Sequence, residues 1–205
     1  MTLVARFVPP EPGRRTLLLL HGRGGDLDDL VPLARTLDPA LGMLAPRGPE
    51  HQPPGYAWFR HERIGVPVIE SLEARLAEVV LWLQAEARSR EILAPMVALG
   101  FSNGGMMAGA LAAARPDLVG AVGLLSSAYP LPADAYAGGG LAGAPIFAAT
   151  GDDDPYHPME TFGAGLAAYR EAGAQVTARV YPGMGHEIGG EEAADLGAWL
   201  SALPA

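Results

Sequence analysis

The sequence contains no cysteine. Disulfides, thiolate metal sites and a cysteine nucleophile are therefore excluded, although this does not fix the redox compartment. Positive charge is also scarce: 14 Lys and Arg stand against 23 Asp and Glu, for a net charge of -9, and no basic cluster occurs. That balance argues against a nucleic-acid partner and gives no electrostatic reason to bind anionic membranes. No apolar run approaches the length needed to cross a bilayer, so no integral membrane association is expected. Residues 1–10 lack the basic-then-apolar layout of a signal peptide, which makes a cytoplasmic protein the expectation. Charged residues make up only 18% of the chain and hydrophobic residues 49%, enough for a sizeable core and too apolar for disorder.

The 205 residues suit a single α/β domain spanning 1–205, and no composition break or internal repeat suggests a second. Ala5 to Val8 reads as a short edge strand. Thr16 to Leu20 is a continuous apolar run, as in a strand buried on both faces. A helix capped by Asp28 or Asp29 should run to about Leu37, with Pro32 in its first turn. Gly42 to Ala45 is a short strand. Pro46 to Gly65, with four prolines and the aromatics Tyr56, Trp58 and Phe59, reads as a long loop of the functional kind. Leu72, Leu76, Val79, Val80 and Leu83 mark an amphipathic helix from Ser71 to Arg88. Strands follow at Met96 to Leu99, Val119 to Leu125, Ile146 to Thr150 and Gln175 to Tyr181. Helices follow at Met106 to Ala114, Thr161 to Ala172 and Glu191 to Leu203, and Ser126 to Ala144 is a connector. This alternation predicts a mostly parallel sheet with helices on both faces.

Gly100-Phe101-Ser102-Asn103-Gly104 lies between a strand and a helix, the context of a nucleophile elbow. The serine must sit on a strained turn that projects its hydroxyl, and glycines two residues to either side leave the room that turn needs. A serine hydroxyl needs a base, and the base an orienting partner. Of five histidines, His51 and His61 fall in the long loop with no strand to fix them, whereas His186 follows a strand end late in the chain, where the base of this arrangement belongs. Asp152, Asp153 and Asp154 compete for the acid. Pro155 pushes Asp154 toward an extended backbone, which is compatible with an inward side chain but does not select it. The backbone N–H of Asn103, with another from the Gly-rich loop His21-Gly22-Arg23-Gly24-Gly25-Asp26, can receive the negative charge that develops on a carbonyl oxygen. That loop has no Gly-Lys-Ser/Thr and is not a phosphate cradle. His21 stands at the strand end, as a structural hydrogen-bonder or as part of the site.

Leu20-His21-Gly22-Arg23-Gly24-Gly25-Asp26, Gly100 to Gly105, Gly151 to Pro158 and Gly185-His186-Glu187-Ile188, in that order, resemble the phospholipase/carboxylesterase family of α/β-hydrolases, which includes acyl-protein thioesterases and small bacterial esterases. The resemblance covers nearly the whole chain. It implies an α/β-hydrolase fold without a large cap domain, and a serine carboxylesterase working through an acyl-enzyme on carboxylic esters, thioesters included. Ser102 looks like the nucleophile, Asp154 the acid and His186 the base, with Arg23 and Asn103 supplying the oxyanion hole. No cofactor or metal is implied. The partner is a small-molecule ester or acyl substrate, and the chain is a monomer or a homodimer. Gly55 to Phe59 resembles the family's acyl-pocket loop, so Trp58, Phe59 and His21 are candidate substrate contacts, though the aromatics could equally pack the loop to the body. The family often has Gln where Asn103 stands, a change expected to matter little because the backbone N–H does the work. The usual Val before the proline of the acid turn is His157, which either tunes the site or caps the turn. A lysophospholipase or acyl-protein thioesterase with long-chain preference is the alternative within the family. A non-catalytic binding protein on the same scaffold, or a peptidase, is more remote.

Overall fold

The computed structural model describes residues 2–63, 65–129 and 140–204. A seven-stranded sheet runs in the order β1 (Ala5–Val8), β3 (Gly42–Pro46), β2 (Thr16–Leu20), β8 (Met96–Phe101), β9 (Val119–Leu125), β10 (Pro145–Gly151) and β11 (Gln175–Tyr181). Only β1, at the edge, is antiparallel. Alternation along the central strands sends successive side chains to opposite faces. Leu18, Leu20, Ala98, Val122 and Ile146 join one core with residues of α2 (Ile69–Ser89), α3 (Asn103–Ala114) and α4 (Met159–Glu171). Leu17, Leu19, Val97, Leu99, Leu125 and Phe147 join the other with residues of α1 (Val31–Leu37) and α5 (Gly190–Ala202). A large apolar side chain removed from water in this way contributes roughly 1.5–3 kcal/mol. Both faces are covered, so the strands read as unbroken apolar runs. Helix α3 is buried from Asn103 to Ala113, which its Gly and Ala content permits.

Residues 46–65 are not a bare loop. They hold the antiparallel pair β4 (Glu50–Gln52) and β5 (Gly55–Ala57), then β6 (His61–Arg63), which pairs with β7 (Val66–Pro67). Prolines and short runs hid these pairs, because two- and three-residue strands carry no readable alternation. The expected cap of α1 is also corrected. Its N-cap is Leu30 with no side-chain cap, because Asp28 pairs with Arg6 and Asp29 accepts the Asp26 N–H. Helix α2 starts two residues before Ser71, and α3 starts at Asn103, directly on the elbow. Of the connector from Ser126 to Ala144, residues 130–139 lie outside the described residues. No helix among the described residues is long and apolar enough to cross a membrane.

Candidate active site

Ser102, Asp154, His186 and the loop that carries Arg23 all follow the carboxyl ends of parallel strands. Ser102 follows β8 with φ 52° and ψ -118°, a backbone conformation rarely adopted by a residue with a Cβ. Its N–H donates to Leu125 O at 2.9 Å, and its carbonyl accepts the N–H groups of Gly105 and Met106 as the helix starts. The glycine requirement is steric. A Cβ at Gly104 would collide with the carbonyl oxygens of Leu20 and His21, and one at Gly100 with the Gly104–Gly105 backbone. The first turn of α3 is thus pressed against the end of β2 and the loop that follows it.

Strands β10 and β11 are parallel neighbours in register, Gly151 opposite Tyr181, so the turns that leave them run together. Gly183 N–H donates to Asp152 Oδ1 at 2.6 Å, and Asp153 N–H donates to Met184 O at 3.2 Å. Of the three aspartates, Asp154 is turned inward and is only 5% exposed. Its Oδ1 accepts the N–H groups of Tyr156 and His157 at 2.9 and 3.0 Å. Its Oδ2 accepts from His186 Nδ1 at 2.7 Å. With Nδ1 carrying that hydrogen, Nε2 is the ring nitrogen left to take a proton. The imidazole lies between Phe101, the residue before Ser102, and Tyr156 of the acid turn, with ring centroids 4.8 and 5.2 Å away.

The loop after β2 is held from several sides. His21 is buried, donates from Nδ1 to Gly22 O at 2.7 Å and accepts the Gly48 N–H on Nε2 at 2.9 Å. Burial pushes its pKa down, against the bond to Gly22, and the bond accepted from Gly48 requires the neutral ring. Gly24 N–H donates to Tyr56 O and Tyr56 N–H to Gly25 O, at 2.7 and 2.9 Å. Asp26 takes a two-pronged bond from Arg47, whose guanidinium lies over the Tyr56 ring. Among the described residues, no acceptor meets the Arg23 N–H. Asn103, the first residue of α3, has no acceptor one turn back within its helix.

A family model described as phospholipase/carboxylesterase matches residues 7–203. The chain belongs to that family. It is 28% identical over 184 residues to the putative hydrolase MhqD of Bacillus subtilis (strain 168), covering 89% of this chain and 90% of that one. Among solved structures, the Bacillus cereus carboxylesterase superposes with a TM-score of 0.84 at 25% identity, over 97% of this chain and 93% of its own. A carboxylesterase from Mesorhizobium loti gives 0.82 at 28% identity, over 94% and 91%. The protein is an esterase-type hydrolase on the α/β-hydrolase scaffold, with no cap domain among its described residues.

The expected substrate contacts need correction. Trp58 and Phe59 have no exposed surface and His21 has 2%, so in this structure they present almost no surface. Trp58 donates from its indole to His21 O, and His21 braces the loop instead. The ring of His157 is buried against Phe162, and its Nε2 has no partner among the described residues. Burial pushes its pKa down to about 4. Its backbone N–H holds Asp154. Three participants escaped the sequence reading. The Asn103 side chain is not idle: its Oδ1 accepts the Trp58 N–H at 2.7 Å. His61 has a strand after all, and its Nε2 faces Asn103 Nδ2 at 3.4 Å. Tyr156 flanks His186. The run Tyr56 to His61 was visible, but nothing local linked it to Asn103, more than forty residues away.

Proposed function

We propose that this hydrolase cleaves carboxylic esters of small substrates through an acyl-enzyme on Ser102. His186 Nε2 takes the Ser102 proton as the hydroxyl attacks the carbonyl carbon, then gives it to the leaving alcohol. Water repeats the sequence to release the acid. Asp154 holds the imidazole tautomer and stabilises its charged form. The N–H groups of Arg23 and Asn103 receive the oxyanion, a contribution of roughly 3–4 kcal/mol for each such donor. The observation that carries this reading is the 2.7 Å bond from His186 Nδ1 to Asp154 Oδ2, on a ring that lies against Phe101, the residue before the strained serine turn. The burial of Trp58 and Phe59, the aromatics best suited to line an acyl groove, favours short acyl groups over long chains.

Ser102→Ala tests the mechanism. Hydrolysis of p-nitrophenyl acetate should fall on the order of 10⁴–10⁶-fold. Near-wild-type turnover in that variant would remove Ser102 from the chemistry. A series of p-nitrophenyl esters from acetate to laurate should show kcat/KM declining with chain length, and the opposite trend would point to the long-chain reading.

A further inference from the structure

Trp58 bonds to both segments that carry the proposed oxyanion donors. Its backbone N–H donates to Asn103 Oδ1 at 2.7 Å. Its indole Nε1–H donates to His21 O at 2.9 Å, two residues before Arg23. The side chain has no exposed surface, and its ring lies 5.3 Å from the His21 imidazole, so the residue is wedged rather than draped over the loops. The other amide atom of Asn103, Nδ2, faces His61 Nε2 at 3.4 Å, and the His61 ring stacks on Phe59 at 5.0 Å. An amide nitrogen only donates, so His61 Nε2 must be the bare acceptor. Burial and the nearby Arg23 charge, which hold the His61 pKa down to about 4, agree with that neutral form. Asn103 therefore has its carbonyl oxygen fixed by Trp58 and its NH₂ fixed by His61, which locks the side chain attached to the elbow backbone.

An oxyanion hole works only if its two donors stand at the right separation before reaction, because reorganisation during the step would forfeit the gain. Here one donor sits in the loop after β2 and the other at the first residue of α3, segments that the chain connects only through some eighty residues. We propose that Trp58 is a positioning residue that staples these two segments at a set spacing, with the Asn103 side chain as its receiver and His61 as the acceptor that orients the Asn103 amide. This rests on the esterase reading above.

The test compares wild type with Trp58→Phe, which keeps an aromatic ring and the backbone N–H but loses the indole donor. His61→Ala and His61→Gln complete the set, the glutamine carbonyl being able to accept from Asn103 Nδ2. Two quantities are read: kcat and KM on p-nitrophenyl acetate, and Ki for an aryl trifluoromethyl ketone, whose adduct with Ser102 puts an oxyanion between the same donors. In Trp58→Phe, kcat should fall and Ki rise by the same factor, roughly tenfold to a hundredfold, with KM little changed. In His61→Ala both should move the same way by a smaller factor, and His61→Gln should restore them. A role in packing alone would lower thermal stability without this matched change. A folded Trp58→Phe with wild-type kcat and Ki overturns the proposal. Should that variant not fold, the histidine pair decides, and His61→Ala equal to wild type in both quantities overturns it. A wild-type protein that does not bind the ketone overturns the esterase mechanism itself, and the staple with it. A wild-type protein that binds it, with unchanged variants, overturns the staple alone.

Discussion

Glu192→Gln should gain stability relative to wild type as pH rises from 5 to 8. Glu192 sits in the first turn of α5 with no exposed surface. Its Oε2 accepts the Gly189 N–H at 3.3 Å, and its Oε1 is buried with no partner among the described residues. Burial outweighs the bond from Gly189 and pushes the carboxyl from 4.5 up to about 7. Between those values the unfolded chain has released this proton and the folded chain has kept it. The unfolded state then binds fewer protons, so stability falls with rising pH, and the loss is complete above about pH 7. At about 1.4 kcal/mol for each decade, the whole loss is about 3 kcal/mol. Glutamine cannot ionise and still accepts from Gly189, so the variant lacks this slope. Its new NH₂ group carries a burial cost of about 1–3 kcal/mol that does not depend on pH. The quantity to read is therefore the change in the difference between the two proteins, not the difference itself. His21, His61 and His157, buried neutral, impose the opposite slope, with stability lost as pH falls below 6.5. Both proteins share that slope, so it cancels. Urea unfolding of each protein at half-unit steps from pH 5 to 8.5 gives the two curves. Their separation should change by about 3 kcal/mol in favour of the variant. Parallel curves would refute the account of Glu192 as an acid held neutral by burial.

Gly104→Ala places a methyl group on the Leu20 and His21 carbonyls, which belong to backbone that cannot swing aside. A loss on the order of 3 kcal/mol should lower the melting temperature by about 6–12 °C, measured by circular dichroism; an unchanged melt would show that the elbow has room the geometry denies. His157→Leu removes an imidazole whose pKa falls to about 4 on folding. Below pH 6.5 the unfolded wild type takes up a proton that the folded one refuses, so the variant should gain about 3 kcal/mol on wild type between pH 6.5 and 4. Denaturant melts at those two pH values check this, and an equal separation at both would contradict it.

The alternation of buried strands and helices was legible in the chain because apolar runs and helical spacing are local properties. So was the turn at Ser102, since Gly100-Phe101-Ser102-Asn103-Gly104 between a strand and a helix is a local pattern, although the atoms that require Gly104 are the Leu20 and His21 carbonyls, far away in the chain. The run Asp152-Asp153-Asp154 shows where that reach ends: residue types alone left three equivalent carboxylates, and only the resemblance singled out Asp154. In the fold, Asp152 ties down Gly183 while Asp154 faces His186, an outcome of the register between β10 and β11. The segment from Pro46 to Gly65 was misread as loop because its pairs are two or three residues long.

By itself, the sequence determined the layers of the fold, the position of the serine turn and the order of the motifs, all of which show as local patterns of residue type. Only the tertiary structure decided that Trp58, Phe59 and His21 brace the site from within, and that the Asn103 side chain is held by Trp58 and His61. Those bonds join segments tens of residues apart, and their geometry depends on how separate strands align.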